Sequence, residues 1–158
     1  RLHNTRYFYQ VRAKNGVGMW SAWSAISDGI LVDKTAPSAV AAVTDDGAVN
    51  ASSTSLRAIW TAASDPESGI TQYEYLVREN STSGTVIVKW TSVGLATEVT
   101  RTGLSLANGK LYYIGVRAKN GAKLYSALRY ADGITIVVDT TPPVITITTP
   151  VDGSVVGR

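Results

Sequence analysis

The hexapeptide Val11-Arg12-Ala13-Lys14-Asn15-Gly16 recurs as Val116-Arg117-Ala118-Lys119-Asn120-Gly121, 105 positions later. The match continues into the sequence that follows, where Asp33-Lys34-Thr35 corresponds to Asp139-Thr140-Thr141. A period of this length is too long for a solenoid repeat and equals the size of a small domain. We therefore expect a tandem array of like domains, an arrangement that usually serves to position something else.

The composition bounds the class of protein. The chain has 158 residues, of which 44% are hydrophobic and 17% are charged, enough for about one and a half small domains. The net charge of +3 is small and the basic residues are scattered, so we expect no nucleic-acid partner. The absence of cysteine excludes a disulfide framework and a thiolate metal site, and no apolar run is long enough for a membrane span.

Alternating residues predict the first strand. Tyr7, Tyr9, Val11 and Ala13 share one face and Phe8, Gln10 and Arg12 the other, the alternation of a half-buried strand. Asn15-Gly16 supplies turn chemistry, and a second strand is predicted near Gly29 to Asp33. Pro37 cannot donate a backbone hydrogen bond, so it marks a boundary.

A complete copy of the repeat follows between Pro37 and Asp139. Turn signals at Asp46-Gly47, Asp65-Pro66 and Asn108-Gly109 separate seven predicted strands, a pattern typical of a β-sandwich. The predicted strands are Val40–Thr44, Ser55–Thr61, Thr71–Arg78, Thr85–Trp90, Thr97–Arg101, Leu111–Lys119 and Ala131–Val138.

Three separated motifs carry a family resemblance. They are Leu56-Arg57-Ala58-Ile59-Trp60, the segment Ile70 to Val77, and the segment Leu106 to Ala118. In this order and spacing they resemble a fibronectin type III domain, particularly the bacterial extracellular version. The resemblance implies an all-β, immunoglobulin-like sandwich in tandem modules. It divides the chain into residues 1–37 (the last two strands of a preceding domain), 38–139 (a complete domain) and 140–158 (a linker and the first strand of a following immunoglobulin-like domain).

The resemblance also implies a set of core residues. Trp60 is expected between the two sheets, because an aromatic residue in mid-strand is usually buried packing. Tyr112 resembles the family's tyrosine corner, whose hydroxyl bonds to backbone upstream. The full predicted core set is Trp60, Tyr73, Leu106, Tyr112 and Val116.

A second motif, Trp20-Ser21-Ala22-Trp23-Ser24, is similar to the Trp-Ser-any-Trp-Ser signature of cytokine-receptor fibronectin type III domains. Arg12 lies on the outward face of the predicted strand, so we expect a cation–π stack of Arg12 with Trp20 or Trp23. The second copy keeps one aromatic residue, Tyr125, and has Leu128 in place of the other. The lack of cysteine argues against a receptor of that class.

Catalytic readings fail for lack of residues. His3 is the only histidine and lies outside the complete copy, so a nucleophile–histidine arrangement and a His-ligated metal site are not expected there. Asp65 and Glu67 are paired carboxylates, but beside Pro66 and Gly69 they read as turn formers. Whether Asp33, Asp139, Asp45 and Asp46 share an interdomain cation stays open. We expect no enzyme activity, no cofactor and no resident metal.

The expected function is structural: a spacer module of an extracellular or cell-surface multidomain protein, with neighbouring immunoglobulin-like modules of the same polypeptide as partners. The proline-containing linkers predict limited bending between modules. One alternative is an adhesin or carbohydrate-binding accessory module with a polysaccharide or cell-surface ligand. Another is a fibre subunit that self-assembles by strand addition, because a hairpin from residues 1–36 is marginal alone. The candidate sugar-binding aromatics are Trp90, Tyr73, Tyr75, Tyr113, Tyr125 and Tyr130.

Overall fold

The computed structural model describes residues 1–146 and residue 153, and within them it contains strands and no helix. Eleven strands run through this part of the chain. They are β1 Thr5–Tyr7, β2 Ile30–Val32, β3 Val43–Asp45, β4 Val49–Asn50, β5 Leu56–Trp60, β6 Ile70–Glu79, β7 Thr85–Ser92, β8 Glu98–Arg101, β9 Leu111–Asn120, β10 Arg129–Tyr130 and β11 Ile134–Ile136.

Residues 43–136 form two sheets that pack face to face. The smaller sheet has the order β3-β5-β8, and the larger has the order β4-β11-β9-β6-β7, with β10 also paired to β9. All neighbours are antiparallel except β4 and β11, which run parallel. The long antiparallel pair β6–β9 forms the centre of the larger sheet.

The core lies between these sheets and follows the two-residue period of the strands. In β5 the buried side chains are Leu56, Ala58 and Trp60, with exposed residues between them. Every residue of β9 from Tyr112 to Val116 except Tyr113 is buried, because this strand is central in its sheet. The rest of the core comes mainly from Val40, Val43, Tyr73, Tyr75, Val77, Val88, Leu106, Ala118, Ala131, Ile134 and Ile136.

Most predicted strands are present with shifted ends, and two predictions are wrong in detail. The strand predicted for Ala131–Val138 is present only over Ile134–Ile136 as β11, and a separate strand, β10, precedes it and pairs with a different part of β9. Gly133, between them, has a φ of 103° and lies against the Tyr113 ring. The two-residue strand β4 was not predicted, because its length gives no periodic signal.

The strand predicted from Tyr7 to Ala13 is also wrong, because only Thr5–Tyr7 pairs with another strand, β2. The expected half-burial fails too: Phe8 and Val11 are 51% and 70% exposed. In the second copy, β9 has β6 along its whole length, whereas the described residues contain no equivalent neighbour for Tyr7–Ala13. The predicted opening strand of a further domain, around Val144 to Val156, falls mainly outside the described residues.

Candidate functional site

Trp60 and Tyr73 face each other from opposite sheets. Their ring centroids are 5.9 Å apart at an interplanar angle of 60°, an edge-to-face arrangement. The Tyr73 hydroxyl accepts a hydrogen bond from the Ala63 N–H at 2.9 Å, which ties the end of β5 to β6. The indole Nε1 of Trp60 is buried and has no hydrogen-bond partner among the described residues. This pair is therefore part of the packed core.

Tyr112, at the start of β9, pins the segment that leads into that strand. Its hydroxyl accepts a hydrogen bond from the Ala107 N–H at 2.9 Å and lies 3.3 Å from Glu79 Oε2. The neighbouring Leu106 is buried, and its N–H donates to the Ser53 carbonyl. Val116, the last member of the predicted core set, is fully buried in β9.

Arg12 lies between the two exposed tryptophans. Its guanidinium carbon is 4.2 Å from the Trp20 ring centroid and 4.6 Å from that of Trp23, and Lys14 lies 5.6 Å from the Trp20 ring. Both indoles are more than half exposed. At exposed sites each such contact contributes roughly 0.5–1 kcal/mol. The arrangement is a stack of exposed side chains on the surface, beside an open groove lined in part by Lys14 and Trp20.

Three serines set the spacing of these tryptophans. Ser21 donates its N–H to the Ala13 carbonyl at 2.8 Å, and its hydroxyl accepts from the Ala13 N–H at 3.0 Å. Ser24 bonds Val11 in the same two ways, and Ser27 bonds Tyr9. The hydroxyls thus take the place of backbone carbonyls. This explains why residues 8–13 are extended without forming a regular strand ladder.

The second copy builds a corresponding stack around Arg117. Its guanidinium carbon is 3.9 Å from the Trp90 centroid and 3.8 Å from the Tyr125 centroid. Arg117 also donates to Glu74 Oε2 through Nε at 2.9 Å and Nη2 at 2.6 Å. Glu74 is paired directly opposite Arg117 in the β6–β9 ladder, so both side chains leave the same face.

The sequence predicted Trp90 as part of a sugar-binding platform, whereas the structure places it in this stack. It comes from β7, two strands away from Arg117, and stacks on that guanidinium. In this copy Leu128 stands at the position of Trp23, so Trp90 is the second aromatic residue of the stack. A repeat alignment cannot find it, because Trp90 has no counterpart within residues 1–37. The signal that could have found it is the strand order, which places β7, β6 and β9 side by side.

The remaining candidate aromatics do not form an open platform. Tyr73 and Tyr75 are buried in the core. The Tyr113 ring lies over Gly133 and the Tyr130 ring over Gly115, each close enough that an added Cβ would be within 2.7 Å of it. Tyr125 and Trp90 present partly exposed edges, since their faces contact Arg117.

A polar junction joins the segment 33–35 to the sandwich that follows. The side chain of Asp33 is 1% exposed, and its Oδ2 accepts from Ser68 Oγ at 2.5 Å and from Asn120 Nδ2 at 2.9 Å. Asn120 Nδ2 also lies 2.9 Å from the Thr35 carbonyl and 2.9 Å from Asp65 Oδ2. Asn120 is itself buried, so its amide makes these bonds away from bulk water.

Two loops approach closely to build this junction. The Gly121 N–H donates to the Gly69 carbonyl at 3.1 Å, and a Cβ on Gly121 would lie 2.7 Å from the Ser68 carbonyl oxygen. Only glycine permits that approach. The recurring Asn-Gly pair is therefore more than a turn signal, because Asn120 supplies the donor and Gly121 the space.

Asp65 is held in its ionised form. Desolvation acts to raise the pKa of Asp65, but hydrogen bonds from the Asn120 side chain and from Ser68 and Gly69 outweigh it, and the pKa lies below its ordinary value. His3 also takes part in the junction, because its Nδ1 accepts from the Lys34 N–H at 3.1 Å. The junction thus draws on residues from both ends of the segment 1–37.

The four aspartates considered for a shared cation do not gather at one place. Asp33 is bonded to the Asn120 amide, and Asp139 accepts from Thr141. Burial is the largest cause that raises the pKa of Asp45, and the negative charges of Asp132 and Asp46 act in the same direction. Over residues 1–146 no group of three or more His, Cys, Asp or Glu side chains is arranged to hold a metal ion. In the same part of the chain no helix has the length and hydropathy to cross a bilayer.

No family model matches the sequence, and no curated protein matches it. Among solved structures, the twitchin kinase region from C. elegans is similar with a TM-score of 0.51 and 19% identity, over 69% of this chain and 18% of that one. A structure of consecutive titin domains gives a TM-score of 0.53 and 24% identity, over 83% of this chain and 41% of that one. A Fn3-like protein from Clostridium thermocellum gives 0.47 and 18%, over 71% of this chain and 100% of its own.

The chain covers 18% of the first of these structures and 41% of the second, less than half of each. At these identities the similarity establishes the fold. The predicted fold class is confirmed for the described residues, which are all-β and form an immunoglobulin-like β-sandwich with the fibronectin type III fold, while the tandem arrangement stays a prediction.

Proposed function

We propose that this chain is a non-catalytic structural module of an extracellular multidomain surface or fibre protein, in which it acts as a spacer between its neighbours. The 105-residue repeat favours tandem modules, with residues 1–37 as the end of one and residues 38–139 as the next. Fibronectin type III sandwiches commonly serve as structural units. The residues singled out in the motifs of this sandwich pack its core.

One observation carries the proposal: the linker is bonded into the module that follows it. A passive tether would leave Asp33 and Thr35 in solvent, whereas both bond to the buried Asn120. Proline at position 37 adds stiffness, because its φ is fixed and it restricts the preceding residue. A linker held in this way transmits orientation from one module to the next.

Backbone relaxation measured by NMR on the full chain tests the spacer role. We expect residues 33–37 to have order parameters near those of rigid backbone, about 0.85, and to fall below about 0.6 in Asn120→Ala. The control is Asn108→Ala, which removes a side-chain bond to the Val138 N–H at the other end of the module. Order parameters already below about 0.6 in the unaltered chain would refute a stiff spacer.

The carbohydrate-binding alternative rests on the exposed edges of Trp90 and Tyr125. Sugar rings stack on aromatic faces, and in this chain Arg117 occupies a face of each ring. A glycan-array signal abolished by Trp90→Ala would favour this alternative over a spacer.

The strand-addition alternative rests on the small sheet of β1 and β2. A two-stranded sheet is marginal in water, and Phe8 and Val11, which follow β1, are exposed. In this alternative, strands from another molecule would cover it. Concentration-dependent oligomers in sedimentation velocity would favour a fibre subunit, and a monomer at all concentrations would favour completion within one polypeptide.

A further inference from the structure

We infer that Asp139-Thr140-Thr141 is a second docking linker, built to bond the loop asparagine of a further module of this same kind. The inference rests on the proposed function, and it names the contact that would join one module to the next. Its partner is defined chemically: a module with an asparagine at the position of Asn120 and a hydroxyl at the position of Ser68.

The first step is the preformed turn in both linkers. At the central junction the Thr35 N–H donates to Asp33 Oδ1 at 2.8 Å, which leaves Oδ2 for Ser68 and Asn120. At the second linker the Thr141 N–H donates to Asp139 Oδ1 at the same 2.8 Å, and the Thr141 hydroxyl bonds that oxygen as well. The turn is therefore in place before any partner binds.

The second step is the state of the remaining carboxylate oxygen. Within residues 1–146 Oδ2 of Asp139 accepts no hydrogen bond, and the side chain is exposed. The bonds from Thr141 lower the pKa of Asp139, so the carboxylate is ionised at neutral pH. Oδ2 is thus an oriented anionic acceptor, matching the one that Asn120 meets at Asp33.

The third step is the complementary half, which is also repeated. Asn15 and Asn120 organise their loops alike: each N–H donates to the carbonyl four residues on, and each Oδ1 accepts from the N–H of that residue. With Oδ1 engaged, the Nδ2 group is the free end of the side chain. Asn120 uses it to bond Asp33, and over the described residues Asn15 Nδ2 has no acceptor.

The chain therefore carries one closed coupling in its middle and one open half at each end. Asp139 is the carboxylate half directed at a following module, and Asn15 is the amide half directed at a preceding one. The coupling depends only on the two loops and the linker. The opening strand of the next module is free to differ, as the sequence after Pro143 differs from Ser38 to Ala51.

The test uses the full chain and an extended chain in which residues 1–141 are followed directly by residues 36–158. In the extended chain Asp139-Thr140-Thr141 takes the place of Asp33-Lys34-Thr35 before a second copy of the module. We expect the order parameters of residues 139–141 to lie below those of residues 33–35 in the full chain and to rise to about 0.85 in the extended chain. Asp139→Ala should reverse the rise in the extended chain and leave the rest of the full chain unchanged.

The side-chain amide of Asn120 in the second copy gives an independent readout. In the extended chain its hydrogen exchange should be as slow as that of Asn120 in the first copy. Asp139→Ala should make this exchange fast in the second copy alone. Mobile residues 139–141 in the extended chain, beside ordered residues 33–35, would overturn this inference and leave the spacer role standing. Mobility at both linkers would overturn the spacer role as well.

Discussion

Removing the hydroxyl of Tyr112 tests the pin at the start of β9 most directly. Tyr112→Phe keeps the ring, which is 1% exposed, and removes one acceptor for the Ala107 N–H. A buried donor left unpaired costs about 1–3 kcal/mol. Ala107 is itself exposed, so water reaches its N–H in the variant and the cost falls at the lower end, about 1–1.5 kcal/mol.

The 3.3 Å bond to Glu79 adds little, because it is long and Glu79 also has Lys110 as a partner at 3.5 Å. A loss of about 1 kcal/mol in a domain of this size lowers Tm by roughly 4–8 °C. The assay is urea unfolding of the full chain followed by far-UV circular dichroism, with Tm measured alongside.

Tyr113→Phe is the matched control. Tyr113 is the adjacent residue of the same strand, half-buried, and its hydroxyl has no hydrogen bond to any described residue. We expect its urea midpoint to stay within the error of the unaltered chain, with the same m-value. Equal midpoints for the two variants would refute the role assigned to the Tyr112 hydroxyl.

Three further predictions concern the core, the second stack and the partly buried carboxylate of Asp45. Trp60→Ala should lower the free energy of unfolding by about 3–5 kcal/mol in urea, because it empties the space between the sheets; a loss under 1 kcal/mol would contradict that position. Arg117→Lys should cost about 1–2 kcal/mol, because lysine loses the two-pronged bond and the stacking plane, whereas the exposed control Arg57→Lys should cost under about 0.5 kcal/mol. Burial, together with the nearby charge of Asp132, raises the pKa of Asp45, so the folded chain binds more protons there than the unfolded chain and loses stability as the pH rises. Asp45→Asn should therefore raise Tm at pH 7, with the gain shrinking toward pH 3; an equal gain at both pH values would count against a titration effect.

The central strands could be predicted from sequence because their signals are local. The segment Leu111–Lys119 alternates and ends at Asn-Gly, and β9 occupies Leu111–Asn120. Trp60 likewise lies in mid-strand among apolar residues, which specifies burial whatever the order of the strands. For these elements the pattern and the tertiary environment agree.

The prediction failed where pairing partners decide the structure. Tyr7–Ala13 has nearly the same sequence as part of β9, yet it bonds serine hydroxyls, because the described residues supply no neighbour equivalent to β6. The strand period alone does not reveal whether a neighbour exists.

The site residues divide in the same way. The stack of Arg12 with Trp20 and Trp23 involves residues close in sequence, and a motif suggested it. Trp90 and Asn120 act across long sequence separations, so they become visible only once the strand order and the loop contacts are known. Asn120 also looked like an ordinary turn residue, since the same chemistry serves both roles.

The parallel pairing of β4 with β11 determines how the sandwich would respond to force. β4 follows the incoming linker, β11 precedes the outgoing one, and the Thr135 and Val137 N–H groups bond the Ala48 and Asn50 carbonyls at 3.0 Å. Tension on the two linkers slides these strands lengthwise, so both bonds are strained at once instead of opening one after the other. The two-residue strand with the weakest sequence signal is therefore placed where such tension acts as shear.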